Sequence, residues 1–160
     1  MRALKLFFML FVIAYTNVSY AQSTLHGKVV RILDGDTYEI LNNGNTTYKI
    51  RMTDIDAPEK SQDFGQRSKQ TLAALIFGKE VKVVYDKLDR NKRILGHTYL
   101  NGTYINLVMV QKGMAWHFKK YSSDQTFAQA EQFARNQKIG IWSKSNAIAP
   151  WDYRSSRRKH

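Results

Sequence analysis

Hydrophobic positions recur along the chain in two periods, and the switches between them divide it into elements. From His26 to Leu33 (HGKVVRIL) β-branched residues alternate loosely with polar ones, as in a half-buried strand. The pattern stops at Asp34-Gly35-Asp36, a turn dipeptide followed by a second acid, and resumes over Thr37–Leu41. Asn42-Asn43-Gly44-Asn45 is a hairpin turn, from which the chain returns over Thr46–Thr53. In that return strand Tyr48, Ile50 and Met52 share one face and Lys49, Arg51 and Thr53 the other, so Arg51 projects away from the apolar side. Ala57-Pro58 ends the strand, and a polar loop runs to about Phe64.

The period then lengthens. Leu72, Leu75 and Ile76 predict a helix over Gln66–Phe77, with Gly78 at its C-terminal cap. Glu80–Asp86 (EVKVVYD) alternates again, Lys87–Lys92 is a charged turn, and Ile94–Leu100 is the next strand, closed by Asn101-Gly102. Tyr104–Lys112 predicts a short helix ended by Gly113. Asp124–Lys138 predicts a longer one, with Ser123 or Asp124 as N-cap and Phe127, Ala130, Phe133 and Ala134 turned inward. Residues 152–160 (DYRSSRRKH) read as a frayed basic tail. Three strands, a helix, two strands and two helices predict a mainly β fold with α (α+β): a five-stranded OB-type barrel plus three helices, spanning 22–151.

The N-terminus follows different rules. Arg2 and Lys5 precede an apolar run from Leu6 to Ala14, and Ser19-Tyr20-Ala21 places small residues at −3 and −1 of a cleavage site after Ala21. Residues 1–21 are therefore expected to be a cleaved signal peptide, and the protein secreted or periplasmic, with no stable membrane insertion after cleavage. The absence of cysteine fits an exported domain large enough to do without disulfides and removes thiolate metal sites and thiol nucleophiles. Formal charge is +12, and removing Arg2 and Lys5 leaves +10, which suits a polyanionic partner without choosing among nucleic acid, membrane and wall polymer. Nothing in the sequence calls for a protein partner, and a monomer is expected.

Three clusters carry candidate chemistry: Asp34-Gly35-Asp36-Thr37, then Arg51 to Glu59 (RMTDIDAPE), then Asp89-Arg90-Asn91-Lys92-Arg93. Singly each has a plainer reading: a capped turn, a surface ion pair, a solvated loop acid, one charge among several. Jointly, the D-G-D-T motif, the Arg51/Asp56/Pro58/Glu59 spacing and an arginine just before Ile94-Leu95-Gly96 resemble the thermonuclease, or staphylococcal-nuclease-like, family. Gly113-Met114-Ala115-Trp116 and Ile139-Gly140-Ile141-Trp142 extend the resemblance over residues 26–143.

The resemblance implies a calcium-dependent nuclease acting on DNA and RNA and leaving a 3′-phosphate and a 5′-hydroxyl. By the same resemblance Asp36, Asp56 and the Ala57 carbonyl are metal ligands, with Asp34 behind them. Arg51 and Arg93 clamp the scissile phosphate, and Glu59 is the general base. These residue types suit that chemistry. Carboxylates hold a hard cation, a guanidinium offers a planar fork to phosphate oxygens, and a glutamate can take the proton of an attacking water.

The chain departs from the family pattern where Asn91 and Lys92 replace an aromatic and a glycine before the arginine. One base platform is thereby lost, the turn that aims Arg93 is altered, and Lys92 becomes a candidate phosphate contact. Tyr121 retains one aromatic of a second pair, and Lys119 occupies the other position. Lys119 and Tyr121 are therefore candidate nucleic-acid contacts, while Trp116 and Phe118 suit core and binding roles equally. Two rival functions remain. One is a non-catalytic OB-type binding module. The other is a metal-independent, phospholipase-D-like nuclease using His117, Lys119 and Asp124, whose accompanying Gly-Ser-x-Asn is absent.

Overall fold

The computed structural model describes residues 22–158, so the expected signal peptide lies outside the described residues. Along the chain run β1 (Ser23–Ile32), β2 (Thr37–Leu41), β3 (Thr47–Met52), β4 (Ile55–Asp56), α1 (Gly65–Ile76), β5 (Glu80–Leu88), β6 (Ile94–Leu100) and β7 (Thr103–Tyr104). They are followed by α2 (Ile105–Gln111), β8 (Trp116–His117), α3 (Gln125–Asn136), a 3₁₀ turn (Gly140–Ser143) and α4 (Pro150–Arg157). Among the described residues no helix is long and apolar enough to cross a membrane.

Sheet order is β3-β2-β1-β5-β6-β7, and parallel pairing of β3 with β6 (Ile50 with Ile94, Met52 with Gly96) closes it into a barrel. β1 begins three residues earlier than its hydrophobic pattern predicts, because Ser23, Thr24 and Leu25 pair with Tyr85, Val84 and Val83 of β5. The protein is thus a five-stranded OB-type barrel of β1, β2, β3, β5 and β6 with helices against it. Val29, Ile40, Ile50, Met52, Val81 and Val83 fill the interior, and Leu72 and Ile76 of α1 and Met109 of α2 cover it. The alternation of β3 holds: Ile50 and Met52 are buried, and Arg51 leaves on the other side.

Closure is tight where β6 crosses the barrel. A Cβ built on Gly96 would lie 2.4 Å from Val83 Cγ1 and 3.3 Å from Ile50 Cγ2, both inward-facing. Gly96→Ala overpacks this point and is expected to lower stability by about 1–3 kcal/mol, read as a lower urea midpoint at unchanged slope.

Two expectations are corrected. Phe133 is not an inward residue: it is 58% exposed, and the buried face of α3 is Phe127, Ala130, Glu131 and Ala134. That set has the i, i+3, i+4, i+7 spacing of one helix stripe, from which position 133 is turned away. Residues 152–160 are not simply a frayed tail, because Pro150–Arg157 is a fourth helix. Pro150 takes its first position, where no intrahelical N–H is needed, Asp152 sits in its first turn, and Arg154 and Arg157 sit in its last. Trp151 supplies the tertiary anchor, stacked on Phe118 (centroids 5.3 Å, planes 5° apart) and edge-on to Trp116 at 5.5 Å.

Candidate active site

The turn between β1 and β2 delivers the first acid. Asp34 Oδ1 accepts the Asp36 N–H at 3.1 Å, bending the chain so that the Asp36 side chain points inward. Gly35 is required here by close approach, since a Cβ would come 1.9 Å from Ser68 Oγ and 2.8 Å from the Ala57 Cβ. Asp36 is buried. Its Oδ1 accepts the Thr37 hydroxyl at 3.0 Å, and its Oδ2 accepts the Ala57 N–H at 2.6 Å. Ala57 therefore faces Asp36 through its amide.

The second acid comes from β4, a two-residue strand that sequence periodicity does not reveal. β4 pairs antiparallel with β8, Asp56 opposite Trp116, which fixes the Asp56 backbone. Asp56 is 2% exposed. Arg51 bridges the acids: its Nη2 lies 2.9 Å from Asp56 Oδ1 and 3.1 Å from Asp36 Oδ2. Its Nη1 donates to the carbonyls of Met52 at 2.6 Å and Ile55 at 3.0 Å. Four acceptors thus fix the fork, a geometry an ammonium group could not reproduce.

Electrostatics at this point are unbalanced. Burial pushes the Asp36 carboxyl up to about 6, with Arg51 pulling it down and Asp34 pushing it further up. Burial also raises Asp56, against a hydrogen bond from Arg154 and with Asp36 adding to the rise. Both groups would ionise more readily beside additional positive charge.

Glu59 stands at the lip, its side chain 39% exposed. Its loop is pinned, since the Glu59 N–H donates to Gln62 Oε1 and its carbonyl accepts the Gln62 N–H. Arg93 reaches the same open cleft, of about 1460 Å3, held by Asp89 Oδ2, which is 2.8 Å from both Nε and Nη2. Hydrogen bonds from the Arg93 backbone and side chain, outweighing a burial effect of opposite sign, hold Asp89 below the usual carboxylate range. Asp89 also accepts the Asn91 and Arg93 amides through Oδ1, so one carboxylate both closes the turn and aims the arginine.

Lys92, standing where the family pattern has glycine, adopts the left-handed backbone that glycine would favour (φ 60°). A non-glycine residue in this conformation carries some backbone strain. Arg90, Asn91 and Arg93 line the cleft on this side, and Lys92 does not.

Lys119, Lys120 and Tyr121 line the opposite wall, and Tyr121 is exposed and edge-on to Phe118 at 4.8 Å. Trp116 belongs to a second core with Trp142, whereas Phe118 lies in the cleft beneath Trp151. The arrangement disfavours the His-based rival. His117 is 2% exposed, lies against the Phe127 ring, and is held below its ordinary pKa chiefly by burial, while Asp124 caps α3 by accepting the Thr126 N–H.

One participant was not read from the sequence. Arg154 of α4 enters the cleft and pairs with Asp56 Oδ2 and with Glu59 Oε1, each at 2.7 Å. Its signal lay in the Pro150-Trp151-Asp152 start of a helix, which the basic composition after it obscured.

A closed OB-type barrel with one open cleft that gathers buried acids, fixed arginines and a half-exposed glutamate has the groups of an enzyme site rather than those of a plain binding module. Residues 49–144 match the family model described as Staphylococcal nuclease homologue, and the chain belongs to that family. It is 46% identical over 127 residues to an uncharacterized endonuclease of Haemophilus influenzae, covering 79% of this chain and 71% of that one. It is 42% identical over 131 residues to an uncharacterized endonuclease of Escherichia coli (81% and 85% covered). It is 43% identical over 145 residues to a micrococcal nuclease of Shigella flexneri (84% and 83% covered).

Proposed function

We propose that this nuclease hydrolyses phosphodiester bonds of both DNA and RNA with a calcium ion held by Asp36 and Asp56. The observation that carries this reading is the convergence of two buried carboxylates on one arginine nitrogen, beside a water-accessible glutamate. The donor set suits a hard divalent cation: carboxylate oxygens, a nearby backbone, and an open cleft from which water can complete a shell of six to eight oxygens. Among the described residues no cluster of three or more acidic or histidine side chains forms a ready-made cage. The ion would therefore keep several waters, and the Ala57 carbonyl is the candidate backbone ligand, with Asp34 supporting Asp36 from behind.

When bound, calcium supplies Lewis-acid polarisation of a phosphate oxygen and lowers the pKa of coordinated water. The remaining work falls to the chain. Arg51 sits between the acids with its four Nη donors already given to protein acceptors, so a phosphate oxygen would meet its remaining Nε–H, or an Nη donor released once a cation holds the carboxylates. Arg93, aimed by Asp89, offers a second fork from the opposite side as charge builds on the phosphorus-bound oxygens. Glu59 accepts or orients the proton of the attacking water. Lys119, Lys120 and Tyr121 track the strand beyond the scissile bond, Tyr121 by stacking.

Purified protein incubated with labelled DNA and RNA oligonucleotides in calcium is expected to cleave both and leave 3′-phosphate and 5′-hydroxyl ends. Fragments with 5′-phosphate ends, or cleavage of only one polymer, would count against this assignment.

A further inference from the structure

The C-terminal helix places a positive charge on the carboxylates that the proposed reaction needs. Arg154 Nη2 lies 2.7 Å from Asp56 Oδ2, Nη1 lies 3.2 Å from Asp56 Oδ1, and Nη1 lies 2.7 Å from Glu59 Oε1. The fork thus occupies both oxygens of Asp56 and one of Glu59. A divalent cation bound to Asp56 at 2.3–2.6 Å, the usual range for calcium–oxygen bonds, would have to share that carboxylate with a guanidinium. Arg51 Nη2 already lies 2.9 Å from Asp56 Oδ1, so a divalent ion would be the third cation on this carboxylate, and with both oxygens taken it binds only where a guanidinium gives way.

The helix that carries Arg154 is built to be displaced. It has eight residues, too few to be stable alone, and of these only Pro150 is fully buried. Outside the Arg154 contacts it is held by Trp151, stacked on Phe118 and edge-on to Trp116 of the second core, by Tyr153 on Ser61 and by Arg157 on the same serine. Trp151 and Arg154, three residues apart, lie on one face of α4, so a movement that withdraws the guanidinium also lifts the indole. Phe118 then becomes available in the cleft beside Tyr121.

We propose that α4 is a clasp: Arg154 holds Asp56 and Glu59 until a divalent cation takes Asp56, and its release frees the general base and uncovers the Phe118 ring. This inference rests on the calcium reading above. It makes cation binding and opening of the nucleotide face a single event. Elements that move in this way are drawn from the less stable parts of a fold, and α4 has one fully buried residue in eight to hold it. Displacement also lowers apparent cation affinity by the fraction of molecules in which the clasp is open.

The test is calorimetric titration of calcium into chelator-treated protein, wild type against three variants, with hydrogen exchange of the α4 amides as a second readout. Arg154→Met removes the competitor and is expected to tighten calcium binding about tenfold or more. Arg154→Lys keeps the charge but not the fork and is expected to fall between. Arg158→Met removes one positive charge from the residue that caps the same helix and lines the same cleft, without touching Asp56, and is expected to change affinity less than about twofold. In the wild type calcium is expected to accelerate exchange across α4. Equal tightening by Arg154→Met and Arg158→Met, unchanged affinity in Arg154→Met, or α4 amides that stay protected with calcium bound would each overturn the clasp while leaving the calcium reading in place. Absence of calcium binding in every protein would overturn both.

Discussion

Replacing Glu59 with Gln is expected to lower kcat by about 10²–10⁴-fold, the usual contribution of a positioned general base, while leaving KM and the fold nearly unchanged. The reasons are geometric. The Glu59 backbone is held by reciprocal hydrogen bonds with Gln62 and by the close approach of Gly65, where a Cβ would lie 1.9 Å from the Glu59 carbonyl oxygen. None of these involves the carboxylate. A glutamine carbonyl can still accept from Arg154 Nη1, so the variant keeps the contact seen at 2.7 Å and loses only the capacity to take a proton. Arg51 and Arg93, the proposed phosphate contacts, are positioned by other residues, so substrate binding should survive. Steady-state kinetics on one oligonucleotide decide the point. Full activity in Glu59→Gln would remove Glu59 from the reaction.

The second large effect separates function from stability at Asp36. Its carboxyl is pushed up to about 6 in the fold against an ordinary 3.8, so the native state disfavours the charged form. The sign follows from linkage. A group whose acid pKa is raised by folding contributes its full stability below 3.8, loses it progressively as pH rises to about 6, and contributes none above. Asparagine imitates the neutral form. Its oxygen can accept the Ala57 N–H and its amide can donate to the Thr37 hydroxyl, while Arg51 keeps Asp56, Met52 and Ile55 as partners.

In chelator at pH 7.5, Asp36→Asn is therefore expected to raise stability by up to about 3 kcal/mol, the value of the displaced pKa. The gain should vanish below pH 4. Cleavage in calcium should meanwhile fall at least about 10²-fold, through loss of a cation ligand. Urea denaturation of both proteins across pH tests this pairing. An Asp36→Asn variant less stable than wild type at pH 7.5 would show that the buried charge is already compensated by Arg51.

How much of this was legible beforehand varies by residue, for physical reasons. Strand parity alone places Arg51 opposite Ile50 and Met52, whereas the start of α3 is legible only to within Ser123 or Asp124, of which Asp124 is the residue that accepts the helix amide. The turn acids were legible because Asp34 and Asp36 act locally, through the bond from the Asp36 amide to Asp34. Arg93 was legible as a charge but not as an aimed one, because its holder Asp89 works through a five-residue turn whose left-handed position is filled by Lys92.

α4 was missed because its order is tertiary. Trp151 and Tyr153 alone give no apolar stripe, and the helix acquires its place from stacking on Phe118 and Trp116, residues more than thirty positions away. Phe133 is the opposite case: an aromatic near the helical period points outward, because Glu131 takes the buried position and is satisfied there by Arg135 and the His117 amide.

In the proposed reaction two buried carboxylates, Asp36 and Asp56, hold the calcium on which cleavage depends. The most direct measurement follows cleavage of a labelled oligonucleotide while calcium is withdrawn with EGTA and then restored, in wild type and in Asp56→Asn. Activity in the wild type should disappear with EGTA and return with calcium, and Asp56→Asn should stay inactive throughout. Cleavage that persists in EGTA, or an Asp56→Asn variant that responds to calcium as the wild type does, would rule out a catalytic calcium on these carboxylates.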